Sequence, residues 1–317
     1  MAPAPLSSAI PDVRTFADLL ERVQDLPPLP VAVVGATDES VVAGLTEAAD
    51  VGIIEPTLIG PAAAVAAQVA RVPAAARFPT VDVPNEDAAA EVGVELVMSG
   101  RVQGLVKGHI HTAAFLHPVV ARLRTNRRVT HCFVLELPTY PKLLTVTDAA
   151  INIRPDLTAK AAIVRNAVEL VRWFGCERPK VAALSAVETV NPDIPSTIDA
   201  ACLAKMADRN QLRDCIVDGP LAFDAAISSE SARIKEFDSP VAGDVDILLT
   251  PDIDAGNILV KDLEYLAGAT LAGIVLGTTA PVVLTSRADP PRSRLLSCAL
   301  AAYVAHHEAN TAGGAGV

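Results

Sequence analysis

Aromatic residues make up only 3% of the 317 positions, with a single tryptophan, while half of the chain is hydrophobic. The core therefore has to be built from Ala, Val, Leu and Ile, which is the profile of an α/β protein with buried parallel strands. Cysteine is scarce as well. Cys132, Cys176, Cys202, Cys215 and Cys298 are odd in number and contain no CxxC pair, so they read as reduced, mostly buried thiols rather than a disulfide framework. No apolar run reaches the ~20 residues that span a bilayer. The opening MAPAPLSSAIPDV lacks a positive n-region and a long apolar core, so it is not read as a signal peptide, and the expected location is the cytoplasm. No basic run stands out, and the net charge is −11, which argues against nucleic acid and anionic membrane as partners. An anionic substrate would have to be met by a few local Arg or Lys side chains.

What is present is an alternation of helix and strand patterns. Residues 13–26 carry Val13, Phe16, Leu19, Leu20 and Val23 on one helical face, and PPLP stops the helix. VAVVGA reads as a buried strand, DESVVAGLTEAADVG as a helix and EPTLIG as the next strand. This βαβ opening implies parallel strands with a right-handed crossover. A helix at 86–100, a strand at 102–107 and a helix at 112–124 repeat it. The rhythm then changes: VTHCFVLEL and LLTVTDAAIN read as paired strands joined by a turn at 138–142. Strands KVAALSA, IVDGPLAFD and VDILLTPD follow, alternating with helices at 158–174 and 196–209. A helix at 256–267, strands LAGIVL and APVVLTS and a helix at 291–306 complete the pattern. A boundary near 128 divides the chain into a first α/β domain, residues 1–127 and 277–317, and a second, residues 128–276.

Open α/β sheets bind ligands where strands end, and four strand-end loops carry candidate chemistry. In VKGHIHT, Lys107 brings a positive charge, Gly108 lets backbone N–H groups approach an anion, and Thr112 stands where it can cap the following helix. In TDAAINIRPD, Asp148 and Asn152 lie in a run too apolar for casual surface polars, although turn formation alone suits them. Asp218, Asp224, Asp252 and Asp254 fit no metal-loop spacing and read as caps and turns. In PVVLTSRADPP, Ser286 and Arg287 end an apolar strand: a fixed hydroxyl beside a guanidinium suits a phosphate or a developing oxyanion, although taken alone the pair is more ordinarily a helix cap with a surface Arg. There is no GxGxxG after the first strand, no GxSxG elbow and no HExxH.

The order VVGATDES, GIIEPTLIGP, LVKGHIHT, VTDAAINIRPDL, LSAVETVNPDIPST, DGPLAFDAAIS, SPVAGDVDILLTPDIDAGN, GIVLG, PVVLTSRAD resembles the phosphate acetyl/butyryltransferase family over roughly residues 31–305. The likeness is strongest to its phosphate butyryltransferase branch and to the acyltransferase part of enoyl-CoA hydratase/phosphate acetyltransferase fusions. The resemblance implies a two-domain α/β fold similar to isocitrate and isopropylmalate dehydrogenases, with mostly parallel sheets and an interdomain cleft, in a homodimer. It implies transfer of a short acyl group between coenzyme A and inorganic phosphate, both substrates, with no metal or other cofactor required. Ser286 and Arg287 match the family's Ser–Arg pair. The family's Asp, seven residues after that Ser, falls on Ser293, which leaves Asp289 as the nearest candidate base. His117 stands where many relatives carry an Arg implicated in binding phosphate or coenzyme A. These two departures keep open a catalytically impaired acyl-CoA-binding protein. A β-decarboxylating dehydrogenase of the same fold is disfavoured by the lack of a nicotinamide loop and a metal-aspartate set.

Overall fold

The structure is a computed structural model that describes residues 12–285 and 289–314, with side chains through 310. Ser286 and Arg287 lie outside the described residues.

In chain order the elements are α1 (Phe16–Gln24), β1 (Leu29–Val34), α2 (Glu39–Asp50), β2 (Ile54–Gly60), α3 (Ala62–Arg71), β3 (Thr80–Asp82), α4 (Glu86–Met98), β4 (Gly104–Lys107) and α5 (Thr112–Arg122). Then come β5 (Thr130–Glu136), β6 (Leu144–Thr147), α6 (Leu157–Trp173), β7 (Lys180–Leu184), α7 (Pro195–Asp208), β8 (Ile216–Leu221), α8 (Phe223–Ile227) and α9 (Ser229–Ile234). The last elements are β9 (Ile247–Leu249), α10 (Ile253–Tyr265), β10 (Thr270–Leu276), β11 (Val282–Val283) and α11 (Pro291–Gly314). Short polar residues set many of the helix starts. Thr15 and Asp18 form a capping box on α1, which begins three residues later than the apolar pattern alone predicts. Asp38, Asn85, Asp156 and Asp252 accept from first-turn N–H groups of α2, α4, α6 and α10.

The strands join one mixed sheet in the order β3-β2-β1-β4-β11-β10-β5-β6-β9-β7-β8. On one side, β1, β2, β3, β4 and β11 run parallel. On the other, β6, β9, β7 and β8 run parallel to one another. Between them β10 is antiparallel to both β11 and β5, and β5 is antiparallel to β6. The two parallel sets thus run in opposite directions, and their C-terminal ends converge at the centre. A single register line passes through Leu105, Val282, Val275 and His131, and the main chain of His131 meets Asp148, one residue past the end of β6.

Side-chain alternation along the strands splits the core. Val31, Val33, Cys132, Val134, Val181 and Ala183 face a layer formed with α1, α2, α6 and α11, continuous across both halves of the sheet. Their neighbours face the other way and form two separate clusters. Ala32, Val34, Leu105 and Leu284 pack with α4 and α5, whereas Phe133, Leu135, Val146 and Leu248 pack with α8 and α10. The gap between these two clusters lies over the strand ends at the centre.

Candidate active site

A cleft of about 950 Å³ occupies that gap, a size usual for a small-molecule site. One wall comes from the end of β4 and the start of α5, through Lys107, Ile110, His111 and Thr112; the opposite wall is α10, through Asp254, Asn257, Ile258 and Lys261. The floor is Phe133, the Ala149–Ala150 step and, just past the end of β11, Leu284 and Thr285. Thr285 reaches the Lys107 carbonyl at 3.5 Å, which ties the two strand ends together.

Lys107 lies where the sequence places it, buried at the last position of β4 with its Nζ 3.5 Å from the Gly108 carbonyl. Gly108 is corrected. Its N–H donates to the Val34 carbonyl at 2.8 Å and so is spent inside the sheet. Glycine is required for close packing: a Cβ would stand 2.4 Å from the Gly35 carbonyl oxygen. Thr112 lines the cleft as the first helical residue of α5, and the cap position belongs to His111, whose Nδ1 is 3.0 Å from Glu86. His117 is exposed on α5 and does not line the cleft.

Asp148 and Asn152 come together, 2.6 Å apart, but behind the cleft wall. The buried Asp148 carboxylate also accepts from the main-chain N–H groups of His131, Ala150 and Ile151, at 2.9–3.0 Å. Four donors saturate it, so it shapes the loop that presents Ala149 and Ala150 and does not itself face a substrate. Asn152 is held by the Val129 carbonyl and by Arg128 Nε at 2.7 Å. On the far wall, Asn257 donates to the Ala149 carbonyl and Thr250 to the Asp148 carbonyl, so α10 is anchored to the same loop.

Asp289 is buried, and its Oδ1 is 3.6 Å from Lys261 Nζ, which also meets Glu264 at 2.7 Å. Burial disfavours the Lys261 cation, but Glu264 and Asp289 more than offset this, and its pKa lies above the ordinary lysine value. Ser293, at the position of the family's Asp, is buried in the first turn of α11. His131 sits behind Phe133, fully buried, with its pKa pushed down to about 4 by burial against the opposing pull of Asp148. The Cys132 and Cys298 thiols are pushed up to about 12 by burial, so neither supplies a thiolate nucleophile at neutral pH. Of the four aspartates weighed as metal ligands, Asp252 caps α10, Asp218 accepts from the Gly219 N–H and Asp224 holds Ser231 and Lys235, whereas Asp254 lines the cleft.

Sequence reading missed the α10 wall. Its signal was available: Asp254, Asn257, Ile258 and Lys261 recur at helical spacing on one face. Phe133 was hidden because it looks like any strand residue of a buried sheet.

The family model for phosphate acetyl/butaryl transferase matches residues 74–302. The phosphate acetyltransferase of Rhizobium meliloti is 50% identical over 84% of this chain and 86% of its own length. The phosphate butyryltransferase of Clostridium acetobutylicum is 41% identical over 92% of this chain and 99% of its own length. Among solved structures, a branched-chain phosphotransacylase from Enterococcus faecalis V583 superposes with a TM-score of 0.76 at 30% identity, over 88% of this chain and 99% of that one. Matched in this way by family model, by sequence relatives and by a solved structure, the chain belongs to the phosphate acetyl/butaryl transferase family.

Proposed function

We propose that the central cleft moves a short acyl group reversibly between coenzyme A and inorganic phosphate: acyl-CoA + phosphate = acyl phosphate + CoA. The observation that carries the reading is the convergence of Lys107, the start of α5 and the strand end leading into residues 286–289 on one cleft, in a chain of this family.

In the forward direction a phosphate oxygen attacks the thioester carbonyl. A carbon–oxygen bond forms, the tetrahedral adduct collapses, the carbon–sulfur bond breaks and CoA leaves as thiolate. The chain's part is to hold two anions together and to stabilise the charge that builds on the carbonyl oxygen. Lys107 and the N-terminal end of α5 put positive potential on one wall. Arg287 orients phosphate through its two-pronged fork, and Ser286 hydrogen-bonds the developing oxyanion; both assignments follow the motif resemblance. In the reverse direction Asp289 accepts the thiol proton of CoA, a modest demand for a group of pKa ~8.5. The acyl group passes directly between sulfur and oxygen, so the chemistry requires neither a metal nor a nicotinamide.

The reversal of strand direction between β11 and β10 supports reading the halves as two α/β lobes, residues 1–127 with 277–317 and residues 128–276, arranged as in isocitrate and isopropylmalate dehydrogenases. The motif resemblance supports a homodimer acting in the cytoplasm. No helix among the described residues is long and apolar enough to cross a membrane. The test is the reverse reaction. Acetyl or butyryl phosphate with CoA and the purified protein yields the thioester, seen in the ultraviolet, with release of phosphate. A folded protein that binds CoA and forms no thioester from either acyl phosphate would instead be the catalytically impaired binding protein.

A further inference from the structure

The apolar end of the cleft lies where two core clusters meet. Ile110 and Leu284 belong to the cluster under α4 and α5, and Phe133 and Ala149 to the one under α8 and α10, yet all four line the cleft. Phe133 has the largest side chain of this group and retains 8% of its surface, turned to the cleft. Its ring is backed by the edge of His131, with centroids 4.3 Å apart at 62°. Since burial holds His131 neutral, that backing is uncharged at neutral pH.

Directly opposite Phe133 in the sheet is Gly273. A Cβ there would stand 3.1 Å from His131 Nε2 and 3.3 Å from the Leu284 carbonyl oxygen. The missing side chain lets His131 and Leu284 close in beside Phe133. Leu284 stands two residues before Ser286, and Thr285, between them, lines the cleft with Lys107. The apolar end therefore adjoins the strand end to which the reacting carbonyl is assigned.

We propose that Phe133 sets the acyl chain length: its ring is the end wall of the acyl subsite, admitting short straight-chain acyl groups of acyl-CoA and closing against longer ones. This rests on reading the cleft as the acyl-transfer site. A wall of this kind discriminates by methylene, and each one admitted or refused in an apolar pocket is worth about 10- to 200-fold in kcat/KM. Main-chain anchoring of the neighbouring loop through Asp148 keeps the Ala149–Ala150 side of the subsite fixed, so the space opened by shortening residue 133 stays available to the acyl chain.

The experiment compares kcat/KM for acetyl-, butyryl- and hexanoyl-CoA at saturating phosphate in the wild type, Phe133→Ala and the milder Phe133→Leu, with folding checked by circular dichroism. The hexanoyl/acetyl ratio is expected to rise at least about 10-fold in Phe133→Ala and by less in Phe133→Leu, with the KM for phosphate unchanged. Should Phe133→Ala fail to fold, the direction of the shift in Phe133→Leu decides. A folded variant that keeps phosphate-dependent CoA release with an unmoved ratio would overturn the assignment and leave the cleft reading standing. A wild type that releases no CoA with phosphate would overturn both.

Discussion

The main-chain N–H of His131 donates to the Asp148 carboxylate at 3.0 Å, linking the middle of the sheet to the loop that forms one side of the cleft. This bond ties β5, which lies between the two oppositely directed strand sets, to the end of β6, near the point where the C-terminal ends of those sets converge. Asp148 is accordingly the fastener of the cleft floor. Replacing it by Ala leaves the buried donors of His131 and Asn152 and the half-buried N–H groups of Ala150 and Ile151 without their acceptor. Hydrogen bonds to a charged group are worth roughly 1.5–3 kcal/mol each, so Asp148→Ala should cost at least about 3 kcal/mol of unfolding free energy. A urea titration measures this, and an unchanged midpoint would mean that the loop holds its shape by other contacts.

Lys261 is the cation of the α10 wall, facing both Asp289 and the cleft. Lys261→Met should raise the KM for acyl-CoA about tenfold, the weight of one charge-assisted hydrogen bond, while Lys261→Arg keeps most of the affinity. Steady-state kinetics with varied acyl-CoA checks it; equal KM values in wild type and Lys261→Met would remove Lys261 from the binding wall.

His117 differs from the Arg of many relatives, which in the sequence alone raised doubt about phosphate binding. Its side chain is exposed on α5, away from the cleft lining. His117→Arg should therefore leave the KM for phosphate within about twofold of wild type, as expected for a surface substitution of small energetic effect. A tenfold drop in that KM would place the residue at the site after all.

Glu308 provides a pH test away from the cleft. Burial raises its pKa from 4.5 to about 7, with Arg127 opposing and Glu169 reinforcing the shift. A carboxyl whose folded pKa lies above its unfolded value contributes its full stability below the unfolded value, and that contribution is lost as pH rises through the folded one. The window is thus from about pH 4.5 to about pH 7. Glu308→Gln should melt higher than wild type at pH 8, by several degrees, with the gap narrowing toward pH 5; the ceiling is about 3 kcal/mol. A melting difference independent of pH would contradict the assignment.

Much of the fold was legible because period and punctuation agree. The βαβ opening, the strand pair joined by the turn at 138–142, and the strand–helix alternation after 157 all follow from apolar runs bounded by turn residues; the register, with Cys132 opposite Thr147, does not. The stretch 61–85 was not: its alanine-rich PAAAVAAQVARVPAAAR has few large apolar side chains, and of α3 only Val65 is buried, yet it forms α3 and leads to β3. α8 and α9 are too short for a helical period to show. At the site, Lys107 was legible as a lysine closing an apolar strand. Gly108 misled because a glycine after a strand serves either an anion or a neighbouring backbone, and only the approach of Gly35 tells which. Asp148 and Asn152 stand out as too polar for their run, but they bond each other, the nearby N–H groups of Ala150 and Ile151, and main-chain groups of His131 and Val129, 17 and 23 residues away.

The most direct test of the central claim is release of free CoA thiol from acetyl- and butyryl-CoA, measured with and without phosphate. The account predicts release that depends on phosphate, is supported by arsenate in its place, and falls on the order of 100- to 1000-fold in folded Ser286→Ala, the usual cost of removing one oxyanion donor. Release at the same rate without phosphate or arsenate would contradict it and mark the cleft as that of a thioesterase.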